Sequence, residues 1–196
     1  GRALGFPELV RVATAEGPWI GQALDMGAAG VVVPHVMDAA GAEAVVRRAR
    51  YGHGGRGFAG GVRGAGLGTQ SMAETLSRTA EPLVIAQIED PEAVDAVDRI
   101  AAVPGLDGLF LGPADLSVAH GETATGGPAL DAALPRVGAA AQANGLVYAS
   151  FVRDAAGAAA WRAHGMNMFF VGSEHGWIRA GARTGADGVH GLHGDT

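Results

Sequence analysis

The 196-residue sequence has no cysteine, which excludes disulfide staples and thiolate catalysis. It has no lysine either, since all fourteen basic residues are arginine. A Schiff base and a P-loop lysine are therefore excluded within this chain, and carbonyl chemistry here needs a metal ion as electrophile. No apolar run approaches the ~20 residues that cross a bilayer. Residues 1–17 show no basic start followed by an apolar stretch, so no signal peptide is read there. The formal net charge of −6 argues against nucleic acid or an anionic membrane surface as a partner. Zero cysteine leaves the compartment open, and a cytoplasmic protein is the expectation.

What is present is a chain that is 48% hydrophobic, enough for one substantial core. Residues 1–180 are read as a single partial β/α-barrel domain. The Gly-rich, aperiodic residues 181–196 are expected to form a flexible tail. Residues 52–68, with Arg56, Phe58 and Arg63 among several glycines, are too irregular for helix or strand.

Apolar runs alternate with amphipathic ones. Strands are predicted at 9–12, 30–33, 83–88, 108–111, 146–149 and 168–171. Helices are predicted at 18–26, 38–50, 70–79, 91–101, 130–143 and 154–164, and another begins at 177. Asp38 is placed to cap the second helix, and Ala93, Val94, Val97 and Ile100 form one stripe. Six β-then-α units with short, continuously apolar strands predict a parallel sheet buried on both faces. A TIM barrel needs eight units, so the reading is a (β/α)8 barrel lacking about its first two. A six-stranded doubly wound sheet is the alternative.

Two strand ends carry chemistry. Gln87-Ile88-Glu89 closes one apolar segment, and Gly112-Pro113-Ala114-Asp115-Leu116-Ser117 follows the next. Each places a carboxylate where a strand leaves the core. Two acids in a shared cleft raise each other's pKa, and a hard divalent cation removes that conflict. Gln87 lies two residues before Glu89, so both side chains leave the same strand face. Asp90 points the other way and is read as a cap for the following helix.

At 87–91 and 112–117 the chain resembles the HpcH/HpaI aldolase family, the metal-dependent (class II) pyruvate aldolases related to the citrate lyase β-subunit group. The resemblance continues through Leu9-Val10-Arg11-Val12, Leu24-Asp25-Met26-Gly27, Val31-Val32-Val33-Pro34, Arg50-Tyr51 and Arg56-Gly57-Phe58, and ends at Val171-Gly172-Ser173. It implies that Glu89 and Asp115 bind Mg²⁺ or Mn²⁺, with Co²⁺ also admissible. Arg11 is implied to steady the developing enolate, with Gln87, Asp115 and the backbone of Ala114 as substrate contacts. Asp25 matches an aspartate that raises the basicity of a catalytic histidine. That histidine's Asp/Glu-His-Gly segment would precede Gly1, about 60 residues being absent relative to the family. The implied substrate is a 4-hydroxy-2-oxo acid cleaved reversibly to pyruvate and an aldehyde. The implied assembly is a homo-oligomer, hexamer or dimer, with helix exchange at the barrel end. A citrate lyase/malyl-CoA lyase-like enzyme and a non-catalytic metal- and oxo-acid-binding relic are the alternatives.

Among the other candidates, Ser173 ends the last strand, where barrels bind phosphate or carboxylate, and is read as a substrate contact. His35 ends a strand behind Pro34 and is either a packed or solvated residue or a ligand facing the mouth. The remaining histidines (53, 120, 164, 190 and 193) are read as loop and surface residues. His175, within Glu174-His175-Gly176, follows the last strand, and its likeness to the missing base is treated as coincidence. The segment from Arg56 to Arg63 is read either as a clamp on the distal end of an acidic substrate or as a solvated loop.

Overall fold

The computed structural model describes residues 4–191. Six parallel strands form one sheet in sequential order: β1 (Leu9–Arg11), β2 (Gly30–Val33), β3 (Leu83–Ile88), β4 (Gly108–Leu111), β5 (Val147–Val152) and β6 (Met168–Val171). The order never reverses. A doubly wound sheet requires a reversal at its switch point, so that alternative is corrected. The observed fold is an open, six-stranded parallel α/β sheet that rolls on in one direction, with β1 and β6 at its two edges.

Helices fill the crossovers: α1 (Trp19–Asp25), α2 (Ala39–Ala49), α3 (Met72–Ser77), α4 (Pro91–Asp95), α5 (Val97–Ala101), α6 (Pro113–Ala119), α7 (Pro128–Ala143), α8 (Ala155–Arg162) and α9 (Glu174–Gly191). Side chains alternate across each strand. Val31, Val33, Val84, Ala86, Leu109 and Tyr148 face the helices and join one core with Leu24, Val45, Ile100 and Val137. The opposite face carries Arg11, Val32, Gln87, Phe110, Phe151 and Phe170, all bordering one cavity.

The caps explain several boundaries. Asp38 accepts from the Gly41 N–H at 2.7 Å, as its position predicts. Ser71 and Glu74 close a capping box on α3. The single helix expected at 91–101 is divided at Ala96, whose ψ of 0° lies outside the helical range. The expected loop after 112 contains α6, which Pro113 can start because the first helical turn has no use for its missing N–H.

The tail expectation is corrected over 181–191, where α9 continues to Gly191. The residues between its glycines, including Ala180, Ala182, Arg183 and Ala186, are strong helix formers and outweigh a cost of about 1 kcal/mol per glycine. Residues 192–196 of that expected tail, with His193, lie outside the described residues. Trp177 and Ile178 on α9 are 64% and 69% exposed, so this helix presents an apolar surface among the described residues. Among the described residues, no helix is long and apolar enough to cross a membrane.

Candidate metal centre and substrate cavity

The carboxyl ends of β2, β3 and β4 converge because the three strands pair in register. Glu89, just past β3, is 1% exposed. Gln87, two residues earlier on the same face, donates from Nε2 to Glu89 Oε2. The backbone N–H of His35, after β2, donates to Glu89 Oε1 at 3.0 Å. Both carboxylate oxygens are therefore fixed in direction.

Gly112 closes over this carboxylate from β4. A Cβ there would stand 2.7 Å from Glu89 Cβ, 2.8 Å from Oε2 and 3.2 Å from Gln87 Nε2. Only glycine fits, and it lets the Glu89–Gln87 pair lie flat against the backbone.

The electrostatics suit a cation. Burial pushes the Glu89 carboxyl above its ordinary range, opposed by the His35 N–H and ring and by Gln87, while the Asp115 charge pushes it further up. The His35 imidazole is pulled up chiefly by its hydrogen bond to Asp90. Burial opposes that, and the charges of Glu89, Asp90 and Asp115 add to it. Asp115, on the first turn of α6, thus acts on both groups. Among the described residues, Glu89 ion-pairs with His35, whose Nδ1 lies 3.4 Å from Oε1. A buried carboxylate held by neutral donors, with a second carboxylate in its field, is a donor set that fits a divalent ion. His35, Glu89 and Asp90 bring three ligand atoms within 4.8 Å of one another.

Beside this cluster is a cavity of about 280 Å³ bordered by Arg11, Gln87, Ala114 and Asp115, with Phe110 and Phe170 among its apolar walls. Four residues expected around a substrate therefore border one space. The two rings stack edge to face, with centroids 5.1 Å apart.

Two expected site residues are placed elsewhere. Asp25 is the last residue of α1, and α1 runs back to the start of β2. It therefore sits at the amino ends of the strands, while Glu89 sits at the carboxyl ends. There it accepts from Arg56 Nε at 3.0 Å, and the Arg56 guanidinium lies 4.5 Å over the Tyr51 ring. The chain does not bring Asp25 to the two acids. Through the same ion pair, Arg56 braces the loop at that end of the sheet. Ser173 does follow β6 at the correct end, but its Oγ accepts from the Gly176 N–H at 3.1 Å and caps α9. It does not border the cavity.

Sequence reasoning underrated two residues. His35 adopts φ +52°, uncommon for a residue with a side chain, and its Nδ1 stands 3.0 Å from Asp90 Oδ2. Asp90 occupies the cap position of α4 but makes no side-chain cap bond, which corrects its reading as a cap. The signal was the Pro34-His35 pair at a strand end. His175 is exposed and pairs only with Glu174, at 3.4 Å, among the described residues.

A parallel β/α sheet with an acidic cluster and an adjoining cavity at its strand carboxyl ends is the build of an α/β enzyme. The comparisons give the family. The model for HpcH/HpaI aldolase/citrate lyase matches residues 2–180, and the chain belongs to that family. It is 33% identical over 183 residues to a hydroxypyruvate/pyruvate aldolase of Paraburkholderia phytofirmans, covering 89% of this chain and 69% of the relative. It is 42% identical over 113 residues to a 4-hydroxy-2-oxovalerate aldolase of Novosphingobium aromaticivorans, covering 58% of this chain and 43% of that one. The solved HpcH/HpaI aldolase from Desulfitobacterium hafniense superposes with a TM-score of 0.88 at 29% identity, over 100% of this chain and 76% of that one. The matches thus span 43% to 69% of the length of these two curated relatives. The kinship is with carbon–carbon lyases.

Proposed function

We propose that this chain carries the site of a metal-dependent aldol lyase that cleaves 4-hydroxy-2-oxo acids reversibly to pyruvate and an aldehyde. The observation that carries the reading is the buried Glu89 carboxylate, oriented by Gln87 and His35, within the field of Asp115 and beside the cavity that Arg11 borders. The names of the aldolase relatives support the substrate class.

Glu89 and Asp115 would hold Mg²⁺ or Mn²⁺, with Co²⁺ as a further candidate. Such an ion supplies Lewis acidity toward a ketone and carboxylate oxygen of the oxo acid. The chain's own groups do the rest. As a general base, which is none of the residues assigned here, takes the 4-hydroxyl proton, the freed O–H pair forms the aldehyde C=O, the C3–C4 bond breaks, its pair becomes the C2=C3 bond, and negative charge develops on the C2 oxygen. Arg11 offers that oxygen a permanent charge and fixed donors. Gln87 keeps Glu89 in one orientation, and the backbone at Ala114 binds without depending on its side chain. Phe110 and Phe170 keep the cavity wall apolar, which strengthens each of these interactions.

Two further βα units closing the sheet into a full barrel belong to the same proposal, as do a cytoplasmic setting and a homo-oligomer that covers the apolar side of α9. The test is to assay pyruvate release from 4-hydroxy-2-oxo acids before and after metal chelation, and again after treatment with substrate and borohydride followed by removal of both. The reading expects chelation to abolish release and added metal to restore it. The borohydride treatment should leave activity intact, since this chain has no lysine to be trapped. Chelator-resistant activity would overturn it.

A further inference from the structure

The cavity beside the acidic cluster is built from two chemically different sets of side chains. Its polar groups, Arg11, Gln87 and Asp115, come from β1, β3 and the first turn of α6. Its rings, Phe110, Phe151 and Phe170, come from β4, β5 and β6. The strand order spreads them along the sheet, from Arg11 on one edge strand to Phe170 on the other. Phe151 and Phe170 are register partners, and Phe170 meets Phe110 edge to face. The three rings therefore adjoin. Phe151 stays 44% exposed, so a ligand that covers it removes further apolar surface from water.

Charge is as unevenly placed. Among the described residues, Arg11 and Asp115 are the charged groups that border the cavity. Both are engaged at the oxo-acid end of the proposed reaction, Arg11 at the C2 oxygen and Asp115 at the ion. A second carboxylate at the far end of a substrate would meet rings in place of a cation, and burying an unpaired charge is costly. Volume sets a further limit. About 280 Å³ lies at the small end of ligand pockets, which run from roughly 300 to 1,000 Å³.

We infer that the aldehyde half of the substrate is a short, uncharged alkyl or aryl group held against Phe110, Phe151 and Phe170. These rings make the chain select against acidic aldehydes. The inference rests on the proposed lyase reading, in which Arg11 and the ion hold the oxo-acid end. The C3–C4 bond then lies between the two ends of the cavity, and the departing aldehyde carries the apolar group.

The test is calorimetric titration of the Mn²⁺-loaded 196-residue chain with pyruvate, 2-oxopentanoate and 2-oxoglutarate. None has a 4-hydroxyl, so binding is read without cleavage. The last two match in length and differ by a methyl against a carboxylate. Native chain is expected to bind 2-oxopentanoate about tenfold more tightly than pyruvate, since each buried carbon brings a factor of about four. It should bind 2-oxoglutarate no more tightly than pyruvate. Phe151→Arg should shift the 2-oxopentanoate to 2-oxoglutarate affinity ratio by about tenfold or more toward the dicarboxylate, which then meets a guanidinium. Phe170→Ala should lower the same ratio. Thermal melting verifies folding, and Phe151→Arg, at a half-exposed position, carries the test if Phe170→Ala does not fold. A native chain that binds 2-oxoglutarate as tightly as 2-oxopentanoate, or a ratio that the folded variants do not move, overturns the inference. Pyruvate binding would then still support the lyase reading. If no 2-oxo acid binds, both fall together.

Discussion

Gly112 and Glu89 come from neighbouring strands, and a Cβ on the glycine would stand 2.7 Å from Glu89 Cβ. Gly112→Ala must therefore displace the buried carboxylate, its Gln87 partner or the backbone. Overpacking of this kind costs roughly 1–3 kcal/mol. The expected outcome is a stability loss of that size in chemical unfolding, together with a loss of Mn²⁺ affinity of about tenfold or more. A variant with native stability and native Mn²⁺ binding would show that the cradle does not position Glu89.

Arg50 ties three loops together at the amino ends of the strands. Its guanidinium donates to the carbonyls of Thr79, Pro82 and Gly105 at 3.2, 2.7 and 3.3 Å, and to Asp107 at 3.0 Å. Asp107 also accepts from the Val84 N–H at 2.8 Å. Hydrogen bonds to charged groups are worth about 1.5–3 kcal/mol each and are not additive. Arg50→Ala is expected to cost ~2–4 kcal/mol in urea unfolding. Arg50→Lys should recover only part of it, since an ammonium lacks the planar fork.

Tyr148 is 1% exposed, and its hydroxyl donates to the Leu134 carbonyl at 3.0 Å. Burial pushes its pKa up. A group raised in the folded state contributes stability that is complete below its unfolded pKa, near 10, and that is lost as pH rises towards the folded value. Alkaline unfolding is therefore expected to begin above about pH 10. Tyr148→Phe should flatten that dependence while costing about 1 kcal/mol at neutral pH for the lost hydrogen bond. An unchanged alkaline slope would contradict the assignment.

Most strands were legible because they are short apolar runs with Gly or Pro close by, and the parallel order followed from their alternation with helices. Glu89, Asp115, Gln87 and Arg11 occupy motifs at strand ends, which is why the sequence places them at one end of the sheet. His35 was harder to read, because its importance depends on β2 lying beside β3, which brings residues 54 apart in sequence into contact. Asp90 was misread for a local reason: its position is that of a cap, and only the neighbouring strand shows what its side chain does. The glycines of α9 resemble a tail, but the helix formers between them carry it to Gly191. Ser173 stands at a strand end, where a hydroxyl serves equally as a substrate contact or a helix cap, and it caps α9.

Asp25 and Arg56 meet at the end of the sheet away from Glu89. Asp25→Asn is therefore expected to leave Mn²⁺ affinity within about twofold of native and to loosen the 52–68 loop, read by faster amide exchange there. A large fall in Mn²⁺ affinity would mean that the two ends of the sheet communicate.

The most direct test of the central claim is a Mn²⁺ titration of the native chain against Glu89→Gln and Asp115→Asn. The account predicts one ion bound per native chain, and an affinity loss of about 100-fold or more in each variant, of the order that losing a charged ligand of 2–3 kcal/mol brings. Native-like Mn²⁺ binding in both variants would contradict it.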